Sequence, residues 1–355
     1  MTVARTPEPV AVPAAPPRLA ALAAGRLRCA AVSRLVDDEL AGSAPARDHV
    51  FVEVPPPWPS DWRDASGYPA SMKDALHRLE GEYGIEVKDH LILPEGPTVP
   101  GRVRFLAYLL PAGPASRLAR HEYLAPPDLL GDLAAAVLGP SGDLRPFARY
   151  RVSAGDVRDY FVCTHGSRDA CCGRLGVPIY QTLRRHAALS AGRLRVWRTS
   201  HIGGHRFAPT LVELPTGRYW GHLDSDLTDL LATRGAPPSA LAGAYRGRML
   251  VAPLAQPVER RLFLDRGWAW DEVPIEATIE VGDRHYGDRS QPSGPVESAL
   301  VTLAHGQPAD GPPDRLVARV VTDGTIPTAG CGKLTSSVPR YRLAPDPPTL
   351  QDGSA

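Results

Sequence analysis

Cysteine is scarce in this chain, with five residues among 355. So few, and an odd number, exclude a disulfide-stapled secreted scaffold. No run approaches the ~20 apolar residues of a membrane span, so membrane insertion is not expected. Residues 1–24 are rich in alanine and proline and are broken by Pro13, Pro16 and Pro17. They lack the continuous apolar segment of a secretory signal. They read as a flexible tail, and the protein as cytoplasmic. An excess of charge of either sign is also missing: 40 basic residues face 39 acidic ones, for a net charge of +1. That balance gives no reason to expect a nucleic acid or an anionic membrane as partner. Neither G-x-x-x-x-G-K-[ST] nor a convincing G-x-G-x-x-G occurs, so no bound nucleotide or flavin is expected. The C-x-x-C of a thiol–disulfide oxidoreductase is absent too, and the adjacent pair Cys171–Cys172 would close only a strained disulfide.

What is present is enough apolar residue, 43%, for a sizeable core. The length allows two or three domains. Residues 49–54 read as a buried strand stopped by Pro55, Pro56 and Pro57. Residues 71–83 carry Met72, Ala75, Leu76 and Leu79 at helical spacing, with Ser71 as N-cap. Strands follow at 103–110 and 118–124, then a helix at 128–138. Residues 157–162 form a strand, 171–185 a helix, 194–199 a strand, 210–214 and 218–221 a hairpin, and 224–233 a closing helix. A strand–helix–strand–strand–helix order thus recurs at an offset of roughly 110 residues. The fold class is α/β. Two tandem thioredoxin-like lobes are expected at 25–150 and 151–235, the first degenerate and the second bearing the functional loops. A helix and β-rich appendage at 236–345 and a polar tail at 346–355 complete the chain. Trp268 and Trp270 would anchor the appendage.

Three of the five cysteines crowd into ten positions, in Cys163-Thr-His-Gly-Ser-Arg-Asp-Ala-Cys-Cys172-Gly173. A second stretch, Thr199-Ser-His201-Ile-Gly-Gly-His205-Arg206, follows. Together they pair C-x8-C with H-x3-H. Soft and borderline donors gathered this closely usually hold a metal or a cluster. Gly203 and Gly204 weaken any helix between the histidines, which argues against the helical H-x3-H of a zinc enzyme. Ile202 also stands where an H-E-x-x-H protease has its glutamate. The four residues proposed as ligands are Cys163, Cys172, His201 and His205, and the group is a [2Fe–2S] cluster. Two imidazoles on one iron raise the reduction potential. They also add ring nitrogens that can couple electron transfer to a proton.

These two stretches resemble the sucrase/ferredoxin-like family, a branch of thioredoxin-like [2Fe–2S] ferredoxins. The matching text is Val162-Cys-Thr-His-Gly-Ser-Arg-Asp169 with Cys172-Gly173, and Ser200-His-Ile-Gly-Gly-His-Arg206. The resemblance implies Cys163 and Cys172 as one ligand pair, and His201 and His205 as the other. It selects Cys172 over its neighbour Cys171, which is read as a buried bystander. The family's word "sucrase" finds no support, because no two carboxylates are set up as acid and base or nucleophile.

His165 is read as making a loop hydrogen bond, Arg168 and Arg206 as positive charge beside the cluster or as partners in ordinary surface salt bridges, and Asp169 as a loop anchor or helix cap. Cys29 is read as a small buried apolar group, and Cys331 as lying in a turn-like stretch. The leading expectation is a redox carrier rather than a stand-alone enzyme, exchanging electrons with separate partner proteins. A zinc-binding structural or regulatory module is the alternative, and a thiol–disulfide oxidoreductase ranks last.

Overall fold

Strand β1 (His49–Glu53) is buried at every residue, and its two faces enter different cores. Val50 and Val52 belong to one apolar cluster and Phe51 to another. A strand covered on both faces needs a layer on each side, and that requirement organises the fold. The structure is a computed structural model describing residues 28–351, apart from 36–39, 95–98, 141, 154, 288, 295, 307–311, 328–330 and 332–336. The tail expected at 1–24 lies outside the described residues.

Helix α1 (Cys29–Leu35) precedes β1. Then come α2 (Ala70–Tyr83), β2 (Lys88–Ile92), β3 (Val103–Leu109), β4 (Ala119–Ala125) and α3 (Leu130–Leu138). The second half runs β5 (Arg158–Cys163), α4 (Ala170–Leu189), β6 (Leu194–Thr199), β7 (Leu211–Leu214), β8 (Arg218–Trp220), α5 (Ser225–Thr233) and β9 (Tyr245–Arg248). All nine strands share one sheet, in the order β4-β3-β1-β2-β6-β5-β7-β8-β9. In the first half β1 is parallel to β2 and antiparallel to β3, which pairs with β4. The second half repeats this: β5 is parallel to β6 and antiparallel to β7, which pairs with β8. The order does recur, but as strand–helix–strand–strand–strand–helix in both halves, one strand more in each than the expected strand–helix–strand–strand–helix, and in the first half the strand that was not expected is β2. That strand, β2, was missed because Lys88-Asp89-His90 reads as loop. Asp89 and His90 are nevertheless fully buried. Asp89 is satisfied by Arg63 at 2.6 Å, Tyr68 at 2.8 Å and Trp62 at 3.2 Å, as burial of a carboxylate requires.

The open sheet bends back so that its two halves face each other. Strands lie about 4.8 Å apart, so β4 and β6 would be about 19 Å apart if it were flat. Instead Arg195 on β6 reaches Glu122 on β4 at 3.0 Å, and the rings of Phe51 and Phe161 stack at 3.7 Å. The two halves thus meet face to face, with α2 and α3 outside one and α4 and α5 outside the other. Asp159 lies fully buried between the halves and accepts from Tyr108 at 2.6 Å, Trp197 at 2.7 Å and Arg195 at 2.7 Å. A second polar knot on β8 joins Arg218 to Glu259 at 3.1 Å and Asp271 at 2.8 Å, with no exposure at Arg218.

The remainder is helix α6 (Gln256–Arg266) and a second sheet. Its strands are β10 (Ile275–Val281), β11 (Arg284–Tyr286), β12 (Ser298–His305), β13 (Asp314–Pro327), β14 (Ser337–Leu343) and β15 (Thr349–Gln351). The α/β class with a β-rich C-terminal part is as expected. Trp268 packs 6.4 Å from the ring of Trp220 and under the guanidinium of Arg234 at 4.6 Å, so it ties this part to what precedes it, whereas Trp270 donates to Glu259 at 3.0 Å, within the C-terminal region itself. Three local expectations are corrected. Helix α2 starts at Ala70, after Pro69 and without a side-chain cap, so Ser71 is inside it. Helix α4 extends past residue 185 to Leu189, with Pro178 accommodated in its interior. Thr349–Gln351, within the stretch read as a tail, pairs with β13.

Replacing Asp159 by alanine strands the buried donors of three side chains. Removing one partner of a buried ion pair costs roughly 3–5 kcal/mol, so Asp159→Ala is expected to lose stability on that scale in urea unfolding. An unchanged midpoint would contradict the face-to-face packing.

Candidate metal centre

Cys163 is the last residue of β5, and its backbone N–H donates to the carbonyl of Thr210 at 3.0 Å. Asp169 caps α4 by accepting from the N–H of Cys171 at 2.8 Å, the capping role anticipated for it. Cys172 therefore falls in the first helical turn. The helix sits against the strand end because Gly176 has no side chain. A Cβ there would lie 2.1 Å from the carbonyl oxygen of Cys163.

His201 follows β6, and its loop is fastened to the first half of the fold. Ser200 donates its N–H to the carbonyl of Leu91 at 2.9 Å, and its hydroxyl accepts from the N–H of Leu91 at 2.9 Å. Gly203 and Gly204 have φ of +88° and +69°, and His205 then opens a short 3-10 turn. The glycine pair thus breaks the backbone as expected. A Cβ on Gly204 would also lie 2.5 Å from the guanidinium of Arg246.

The cysteine loop is held by the first half as well. His165 donates from Nε2 to the carbonyl of Pro59 at 2.8 Å, and the hydroxyl of Ser167 donates to that of Trp58 at 2.6 Å. Both donor loops of the second half thus rest on the first half, one on strand β2 and the other on the Trp58–Pro59 segment. Burial holds the pKa of His165 below the usual imidazole value, so its neutral form serves as that donor.

The sulfurs of Cys163 and Cys172 and a ring nitrogen of His201 all lie within 4.8 Å of one another. His205 stands outside that trio, its ring centroid 5.3 Å from that of His201. Nδ1 of His201 is buried and finds no partner among the described residues. The Cys163 thiol is held well below its ordinary pKa, first by its hydrogen bond with Cys172 and then by that with His201. Cys172 is pushed up correspondingly by the same bond to Cys163 and by burial. The donor set, two sulfurs and an imidazole nitrogen turned to one point, fits a thiophilic metal or cluster.

Arg168 is exposed and Arg206 is buried. A third arginine, which sequence reasoning missed, is Arg246 on β9. It is fully enclosed, donates to the carbonyl of Ser43 at 2.9 Å, and interacts electrostatically with Cys172. Burial lowers its pKa to about 10, leaving it cationic at neutral pH. No spacing rule reaches it, since β9 is far along the chain from both motifs. A cavity of about 400 Å³ is lined by His201, His205, Arg246, Ile326 and Tyr341, among others.

Neither Cys171 nor Cys29 is isolated. Their sulfurs lie 3.7 Å apart, and Cys331 approaches Cys171 to 3.3 Å. Both are buried in the apolar core, as read from the sequence, with their sulfurs close to that of Cys331.

The fold and site define a mixed α/β protein whose paired halves enclose a buried Cys/His group that could hold a metal. The sucrase/ferredoxin-like family matches residues 40–247, more than half of the chain, and the protein belongs to that family. No curated protein and no solved structure matches it.

Gly176→Ala should separate Cys163 from the α4 turn. Overpacking of this kind costs about 1–3 kcal/mol. Urea unfolding and metal content should both fall, and a variant that keeps its stability and metal would contradict the close approach.

Proposed function

We propose that the protein is an electron carrier in which Cys163, Cys172, His201 and His205 hold a [2Fe–2S] cluster. The observation that carries this reading is the convergence of the two thiols and His201 on one buried point, with His205 beside His201. Membership of a family described as ferredoxin-like supports it. Two ligands are needed per iron. The sulfurs supply one pair and the neighbouring imidazoles the other. When bound, the cluster supplies a one-electron redox couple.

The chain's own residues do the rest. Cys163 and Cys172 bind as thiolates. The Ser200–Leu91 bonds and the Gly203–Gly204 break orient His201 and His205. The free ring nitrogen of a ligated His201 can hold a proton, and the adjoining cavity offers that proton a route. Arg246 places a buried positive charge where the reduced state gains a negative one. Electrons pass to and from separate partner proteins. Free thiols at the site suit a reducing compartment, and we assign the protein to the cytoplasm.

The deciding experiment is EPR of anaerobically purified, reduced protein. Nitrogen ligation predicts a lower average g than an all-thiolate cluster, moving toward all-thiolate values in His201→Cys and His205→Cys. A colourless protein without iron or labile sulfide would overturn the proposal. Zinc is the second reading, favoured by three donors lying within the reach of a single ion. Stoichiometric zinc bound through Cys163 would establish it.

Removing the cation should destabilise the reduced form, so Arg246→Gln should lower the midpoint potential. If one proton accompanies the electron, the wild-type potential should also fall by about 59 mV per pH unit. An unchanged potential in the variant would contradict the role given to Arg246.

A further inference from the structure

We infer that Cys29, Cys171 and Cys331, with Asp169, form a second metal site, closed and tetrahedral, for a single zinc-class ion. The site shares no donor with the first and does not depend on the cluster reading.

The geometry comes first. The three sulfurs form a triangle with sides of 3.7 Å (Cys29–Cys171), 3.3 Å (Cys171–Cys331) and 3.5 Å (Cys331–Cys29). A disulfide would need about 2.05 Å. Four donors around zinc, with Zn–S near 2.3 Å, place sulfurs about 3.8 Å apart. The observed triangle is close to one face of that tetrahedron. The fourth corner is filled by Asp169, whose Oδ1 lies 3.9 Å from the sulfur of Cys331. All four donor atoms lie within 4.8 Å of one another, and Cys29, Cys171 and Asp169 are buried.

Chance packing is a poor account of this meeting. The three cysteines come from segments 142, 160 and 302 residues apart, in a chain with only five cysteines. The buried carboxylate of Asp169 adds a hard oxygen donor to the three thiols while its oxygens also accept the N–H groups of Cys171 and Cys331. Three thiolates and one carboxylate around a divalent ion leave two negative charges. The N-terminus of α4, a 20-residue helix, faces them with its positive end. Backbone N–H groups contribute as well: Cys29 donates to the sulfur of Cys331 at 3.5 Å, and Cys331 donates to Oδ2 of Asp169 at 3.3 Å. A carboxylate has lone pairs enough to keep such bonds and bind a metal. Soft thiolates with one hard oxygen, closed to further ligands, suit structural zinc.

The position explains what the ion would do. It pins α1, the first turn of α4 and the turn at Cys331 to one another. Cys171 is the immediate neighbour of Cys172. The sulfur of Cys29 lies 3.7 Å from the carbonyl of His205. An ion here would brace both donor loops of the first site from behind.

The test uses the full-length protein, purified anaerobically and reduced, with metals counted and cobalt(II) as optical probe. One equivalent of zinc per chain is expected, and bound cobalt should give tetrahedral d–d bands with thiolate charge transfer. Loss of a direct ligand in Cys331→Ser should weaken zinc binding by more than the roughly 10–100-fold that loss of an outer-sphere partner costs. His201→Ala should keep the zinc. Circular dichroism of Cys331→Ser, altered only in a half-buried turn, checks that the variant folds. Should that variant unfold, the His201→Ala comparison and the cobalt spectrum of the wild type still decide. Three outcomes would overturn the inference: no zinc or cobalt in the reduced chain, metal lost with His201→Ala but retained in Cys331→Ser, or iron as the ion at this site. Absence of iron from the protein would overturn the cluster reading and leave this site untouched.

Discussion

The structure depends on a short run of hydrogen bonds where β2 meets β6. Ile92 pairs with Thr199, and the N–H of Leu93 donates to the carbonyl of Arg198 at 3.0 Å. Ser200 and the hydroxyl of Thr199 then both bind Leu91. This seam joins the two halves into one sheet, and it is brief. A longer ladder would keep the halves coplanar. A brief one lets them swing together until Phe51 stacks on Phe161 and Asp159 meets Tyr108. The same seam fixes the residue just before His201, so the packing of the halves and the placement of the first imidazole have one physical cause.

That arrangement gives the first half its purpose. Among the described residues it contributes no donor to the Cys163, Cys172 and His201 group. It does contribute the surfaces on which both donor loops rest: the Trp58 and Pro59 carbonyls under the cysteine loop, and Leu91 under the histidine loop. It also brings a buried chain in which Tyr219 bonds His49 at 2.6 Å and His49 bonds His90 at 2.8 Å. Burial lowers the pKa of His49 to about 3, and that of His90 well below the usual value, so both stay neutral. Two uncharged rings can stack within an aromatic core beside Phe51, where imidazolium ions could not.

The cysteine and histidine motifs were legible in the sequence because their chemistry is local. A strand end, a capped helix and a glycine pair are each encoded within a few residues, and Asp169, Gly203 and Gly204 behave as their types require. The repeated strand order was legible because apolar runs mark most of the strands. Strand β2 was not, since its buried Asp89 and His90 are tolerated only through partners elsewhere in the chain. Arg246, Cys29 and Cys331 escaped for the same reason. Each gains its meaning from a contact across a long stretch of sequence, and spacing rules describe only neighbours.

The central claim is that two thiols and two imidazoles divide between two irons. Mössbauer spectroscopy of the oxidised, iron-57-enriched protein tests it most directly. The account predicts two quadrupole doublets of equal area, with the higher isomer shift on the iron bound by nitrogen. One doublet from a uniform pair of sites, or no iron signal, would contradict it.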